Sequence, residues 1–204
     1  TVQKMMQPLR VGERAGFANA KREWLFGVDA QPRGSNGWQP ANMFDQPELE
    51  AFLRGTALSH ANVTAYIGYE MTKFFNDSSR VTLQARGPDH EVTLKAHYLV
   101  ACDGANSLLR KQAGFTVIDQ SRNETALVTS VHTERPIGTI AYQRFLPSGP
   151  LALMPTNTKT ASIVWSLPNS QAEALTRQDK NSFEDSLNAA FGNYLGRLTP
   201  ASTL

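Results

Sequence analysis

Asp103, Gly104 and Arg110 stand in the stretch VACDGANSLLRKQAG, residues 100–114, which reads as an apolar strand, an acidic glycine turn and a basic helix. Ligands of open α/β sheets bind beyond the carboxyl ends of strands, so the turn is a candidate binding position. Gly104 has no side chain to keep a ligand from the backbone. A helix opening near residue 106 would offer unpaired N–H groups to a phosphate. Asp103 repels phosphate itself; it can hold the turn N–H groups, bond a sugar hydroxyl or order a water. Arg110 can supply compensating positive charge.

Other reactive residue types point nowhere in particular. The four histidines, His60, His90, His97 and His132, show no ligand spacing, so no metal is expected. The lone cysteine, Cys102, lies inside an apolar run and reads as a small core residue. Ser107 lacks the G-x-S-x-G setting of a nucleophile elbow, which argues against a hydrolase. No catalytic acid, base or nucleophile is assigned.

The elements that must position these residues follow from patterning. Residues 1–44 are rich in breakers, including Pro32, Gly34, Gly37 and Pro40, and leave room only for short strands such as 23–28. At Asp45 the character changes. Asp45 with Glu48 suggests a capping box, and Leu49, Phe52, Leu53 and Ala57 recur at helical spacing. Strands are predicted at 63–67, 80–85 and 91–95, the last two joined by the turn GPDH as an antiparallel hairpin. A fourth strand ending at Cys102 is apolar throughout, which predicts burial on both faces. Beyond Gly114 the pattern is antiparallel β at 126–132, 140–145, 151–154 and 161–167. A helix over 182–191 closes it, with Phe183, Leu187 and Phe191 four residues apart.

Composition bounds the class. The chain of 204 residues is 41% apolar and 19% charged, which suits a folded globular chain. A net charge of +2 is too small to argue for nucleic acid as a partner. No apolar run approaches the ~20 residues that span a bilayer. The start, TVQKMMQPLRVGERAG, has no signal-peptide pattern. It does not begin with Met, and the chain reads as an internal piece of a longer protein.

The run D-G-A-N-S-x-x-R, residues 103–110, after an apolar strand, resembles the second cofactor motif of the FAD-dependent aromatic hydroxylases, the single-component flavin monooxygenases. NMFDQPELEAFLR resembles that family's helix in which a Gln approaches the flavin, a role that falls on Gln46. Its Gln-Pro-x-Leu-Glu especially resembles the hydroxyphenylpropionate-type hydroxylases. YQRFLPSGPLALMPTNTKTASIVWSLP and AFGNYLGRLT are similar to the substrate sheet of ubiquinone-biosynthesis ring hydroxylases. The N-terminal G-x-G-x-x-G turn and the later Gly-Asp motif of the family are not found in these residues.

The resemblance implies an α/β fold, α+β in its second half. Residues 45–115 would form part of a FAD-binding layered domain and 116–204 a mainly antiparallel substrate domain, after the loop-rich 1–44. Asp103, Gly104, Arg110 and Gln46 would serve FAD, while Tyr142, Arg144 and Trp165 would line the substrate pocket. The implied reaction hydroxylates an aromatic ring with O₂ and NAD(P)H. Its substrate is a prenylated phenol of ubiquinone biosynthesis or, alternatively, a phenylpropionate; a non-catalytic interaction module is the third reading. The implied setting is cytoplasmic or peripheral to a membrane, on the matrix side of mitochondria in a eukaryote. Self-association or a biosynthetic-complex partner would accompany it.

Overall fold

The computed structural model describes residues 9–11, 14–29, 33–35, 37–38, 42–77 and 79–201. Pro32 and Pro40 lie outside them. The chain divides into two compact units, residues 1–54 with 121–204, and residues 55–120.

The first unit is built on a seven-stranded sheet. Its strands are β2 (Arg14–Ala18), β3 (Trp24–Asp29), β8 (Glu124–Thr133), β9 (Ile140–Leu146), β10 (Gly149–Asn157), β11 (Thr160–Pro168) and β12 (Leu198–Pro200). They run in the order β12-β8-β11-β10-β9-β2-β3. The strands after residue 114 pair antiparallel, as their patterning predicts. The β2 strand, which sequence reading left within loops, joins them in parallel, with Gly16 opposite Tyr142 and Ala18 opposite Arg144. A short ladder of β1 (Leu9–Val11) with β4 (Asn42–Phe44) belongs to the same unit.

Period-two alternation makes this sheet two-faced. In β8, Leu127, Thr129, Val131 and Thr133 are buried while Val128, Ser130 and His132 are exposed. The buried residues meet two helices, α3 (Asn169–Thr176) and α4 (Lys180–Phe191). Phe183, Leu187 and Phe191 of α4 pack in one cluster with Leu127, Leu151, Leu153, Ile163, Trp165 and Leu167 of the sheet. The four-residue spacing puts the three on one stripe, and burying each contributes about 1.5–3 kcal/mol. Asp179 starts α4 by accepting the N–H groups of Asn181 at 3.0 Å and Ser182 at 3.1 Å. Sequence reading missed α3, because Pro168 before it offers no side-chain cap and only Ala172 is buried along it.

Helix α1 (Gln46–Leu58) begins where the Asp45 signal predicts, with Glu48 N–H donating to Asp45 Oδ1 at 3.2 Å. None of its residues is fully buried, and Leu49 and Phe52 of its apolar stripe are half-buried.

The second unit contains a meander of β5 (Glu70–Asn76), β6 (Val81–Arg86) and β7 (Glu91–Ala96), followed by a short helix α2 (Leu108–Gln112). The predicted hairpin is β6–β7, with Leu83 opposite Leu94. Two expectations are corrected here. Residues 63–67 form no strand; the strand that pairs with β6 is β5, three residues further on. Residues 98–102 are not a buried strand: Tyr98 is 87% and Val100 79% exposed, and Cys102 is exposed. A strand exists only through a ladder, and among the described residues nothing pairs with this stretch.

Candidate functional site

The Asp103 turn is locally self-organised. One carboxylate oxygen accepts the Ser107 hydroxyl at 2.6 Å and the other accepts Leu109 N–H at 3.1 Å. Ser107 Oγ in turn accepts Arg110 N–H at 2.9 Å and so caps α2. These bonds, the Ser107 hydroxyl first and the Leu109 N–H second, hold the Asp103 carboxyl below the usual carboxylate range. Of the roles open to Asp103, holding the turn is the one its bonds display.

Gly104 has φ +81°, a conformation that side-chain-bearing residues avoid. A Cβ built there would meet no atom within 4 Å, so the constraint is on the backbone and the space beside it is open. Arg110 donates through Nη2 to the Ala105 carbonyl, and its Nε is buried without a partner. The turn borders a cavity of about 740 Å³ lined by Phe74, Leu99, Asp103, Gly104, Ser107 and Arg110 among others. An open glycine turn beside the positive charge of Arg110 fits an anionic, phosphate-bearing ligand.

Gln46 belongs to the other unit. It is the first residue of α1 and borders a cavity of about 310 Å³ with Asn42, Phe44, Ser130, Met154 and Ser162. Ser130, Met154 and Ser162 all come from the sheet face opposite α3 and α4. Gln46 therefore stands over that face, together with residues that sequence reading did not single out.

Tyr142, Arg144 and Trp165, expected to line a substrate pocket, lie instead on the face turned to the helices. Trp165 is 5% exposed and sits in the core cluster. Tyr142 is half-buried, its ring edge-on to Phe191 at 6.3 Å, and burial raises its phenol pKa. Arg144 is 3% exposed, and its guanidinium donates to the backbone carbonyls of Asn19, Ala20 and Ala190. Burial lowers the Arg144 pKa. The reason is register: residues one step along the same strands, Gln143, Phe145 and Val164, point the other way.

The opposite face carries its own aromatic row. Phe17 stacks on Phe26 with ring centroids 4.6 Å apart and on Phe145 at 6.1 Å, linking β3, β2 and β9. Phe26 and Phe145 stay 52% and 43% exposed, so their rings remain accessible. Alternation along β9 was the available signal for Phe145. The parallel pairing of β2, made across more than a hundred residues of chain, was not readable.

Comparison with known proteins agrees with this architecture. Over 100 residues the chain is 38% identical to the ubiquinone biosynthesis monooxygenase COQ6, mitochondrial, of Danio rerio, a match covering 48% of this chain and 21% of that protein. It is 32% identical over 108 residues to the ubiquinone hydroxylase UbiL of Rhodospirillum rubrum, covering 53% of this chain and 25% of that one. The chain thus matches only a fifth to a quarter of the length of these relatives. The crystal structure of p-nitrophenol 4-monooxygenase from Pseudomonas putida superposes with a TM-score of 0.75 over 98% of this chain and 52% of that one, at 15% identity, and shows the same fold. The FAD binding domain family model matches residues 9–203, nearly the whole chain, and the chain belongs to that family.

Proposed function

We propose that this chain serves a FAD-dependent monooxygenase that hydroxylates an electron-rich aromatic ring, using NAD(P)H and O₂. The observation that carries the reading is the Asp103–Gly104 turn, where a carboxylate bonded to the Ser107 hydroxyl and the Leu109 N–H leaves an open glycine beside a cavity that Arg110 also lines. Gly104 and Arg110 would receive the phosphates of FAD, Asp103 would keep the turn in shape, and Gln46 would approach the flavin from the first turn of α1. The flavin, when bound, supplies the oxygen-transfer chemistry. What this chain's residues do is hold the ring in place and keep water out. The sheet face carrying Phe145, Met154, Ser130 and Ser162 is suited to that, since it is largely apolar or small. Tyr142, Arg144 and Trp165 support the face from behind.

The ring is that of a ubiquinone precursor, a prenylated phenol, as the names of the 38% and 32% identical relatives suggest. Such a substrate would bring the protein to a membrane surface, on the matrix side of mitochondria in a eukaryote. No helix among the described residues is long and apolar enough to cross a membrane.

The test measures NAD(P)H consumption and hydroxylated product together, with a prenylated phenol and with a phenylpropionate. Product formed preferentially from the prenylated phenol, by yellow protein, is the expected result. Oxidation of NAD(P)H without product from any phenol would sink the reading.

A further inference from the structure

Arg144 is almost fully buried, yet among the described residues it forms no ion pair with a carboxylate. Its guanidinium instead joins three backbone carbonyls from two distant places in the chain. Nη2 donates to Asn19 O at 3.3 Å and to Ala20 O at 2.7 Å, while Nη1 donates to Ala190 O. Asn19 and Ala20 open the turn between β2 and β3, and Ala190 lies in the last turn of α4. The carbonyls of a helix's last turn lack intrahelical partners and carry the negative end of its dipole, so a buried cation is stabilised there.

The same turn is held a second time. Tyr194, just past α4, donates its hydroxyl to the Arg22 carbonyl. Arg22 itself has φ +69°, a left-handed conformation unusual for a residue with a side chain. Within the turn, Asn19 Oδ1 accepts Glu23 N–H at 3.0 Å and Asn19 Nδ2 donates to Glu23 Oε2 at 2.7 Å. The turn is therefore bonded within itself and tied from beneath by Arg144 and Tyr194.

The clamp acts on an edge hairpin. The β2–β3 hairpin ends the sheet and joins it through one parallel ladder, to β9. Phe17 and Phe26 project from the opposite face of this hairpin and stack toward Phe145, the residue next to Arg144 in β9. We infer that Arg144 is a positioning residue: by clamping the Asn19–Arg22 turn to the end of α4, it sets where Phe17 and Phe26 stand beside the ring-binding face. The inference rests on the reading of that face under the proposed function. The requirement is for a fork. One ammonium cannot span carbonyls on both sides of the guanidinium, so lysine is not an equivalent residue here.

The test compares Arg144→Lys, Tyr194→Phe and Phe26→Ala in the flavin-loaded protein, reading melting temperature, flavin content, KM for the phenol and product formed per NAD(P)H consumed. Arg144→Lys should keep its flavin yet raise KM about tenfold and lower the product yield, as a displaced wall loosens the ring. Tyr194→Phe should move both quantities the same way by a smaller factor, and it decides the matter alone if Arg144→Lys does not fold. Lowered melting temperature in these two variants, with unchanged KM and product yield, overturns the inference and leaves Arg144 a purely structural residue. If Phe26→Ala also leaves KM and yield unchanged, the face is not where the ring binds, and the proposed function loses its substrate wall.

Discussion

Gly104 separates two effects that are usually mixed. Its φ of +81° means that any side chain is strained, while the absence of atoms within 4 Å of a Cβ means that alanine meets no clash. Gly104→Ala should therefore cost only about 1–2 kcal/mol of stability. If FAD phosphates occupy the open side, flavin content should fall much further than that strain explains. A yellow Gly104→Ala protein with only a lowered melting temperature would make the turn structural. Asp103 gives a second, pH-dependent readout. Its folded pKa is depressed by the Ser107 and Leu109 bonds, so its contribution is present above the unfolded value of 3.8 and is lost as pH falls through the lower folded value. Acid denaturation of Asp103→Asn should show a weaker loss of stability in that range than the parent protein does. The Asp-Gly-x-x-Ser spacing was legible because every bond in the turn is local. Its neighbour Cys102 was misread as buried, because burial depends on a partner strand that local sequence does not reveal.

The β9–β10 hairpin and α4 decide the face of the sheet. Leu146 pairs with Gly149, leaving Pro147 and Ser148 as a two-residue turn. Gly149 has φ +132°, and a Cβ there would sit 2.3 Å from the Ser166 carbonyl oxygen, which is backbone and cannot swing away. Gly149→Ala should destabilise by about 1–3 kcal/mol, through strain and overpacking, as read by chemical denaturation. Leu187, fully buried in the stripe of α4, should cost about 2–5 kcal/mol when changed to alanine. A loss below 1 kcal/mol at Leu187 would mean that α4 is not what holds the sheet. These elements were readable from sequence, since alternation in 126–167 and the four-residue step in α4 are strong periodic signals. Their neighbour α3 was not, having one buried apolar residue in eight positions.

Across the whole molecule the exposed apolar groups are unevenly spread. Tyr98, Val100 and Ile118 are each more than three-quarters exposed, and all lie in the unit of residues 55–120. Unpaired extended backbone bearing apolar side chains invites pairing with another chain. The 204-residue chain by itself should run larger than a monomer in light scattering, and Val100→Lys should shift it toward the monomer; a parent chain that is already monomeric would refute this. The amino-acid sequence alone determined the Asp103 turn, the α1 start at Asp45, the β6–β7 hairpin and the antiparallel strands. Each of these depends on residues within a few positions of one another or on a simple repeat. It also carried the family, through motifs whose residues are contiguous. Only the tertiary structure decided that Tyr142, Arg144 and Trp165 face the helices, that Phe17, Phe26 and Phe145 share the other side, and that β2 runs parallel to β9. Those outcomes depend on which of two faces a strand buries and on a pairing made across more than a hundred residues, and neither is encoded in local spacing.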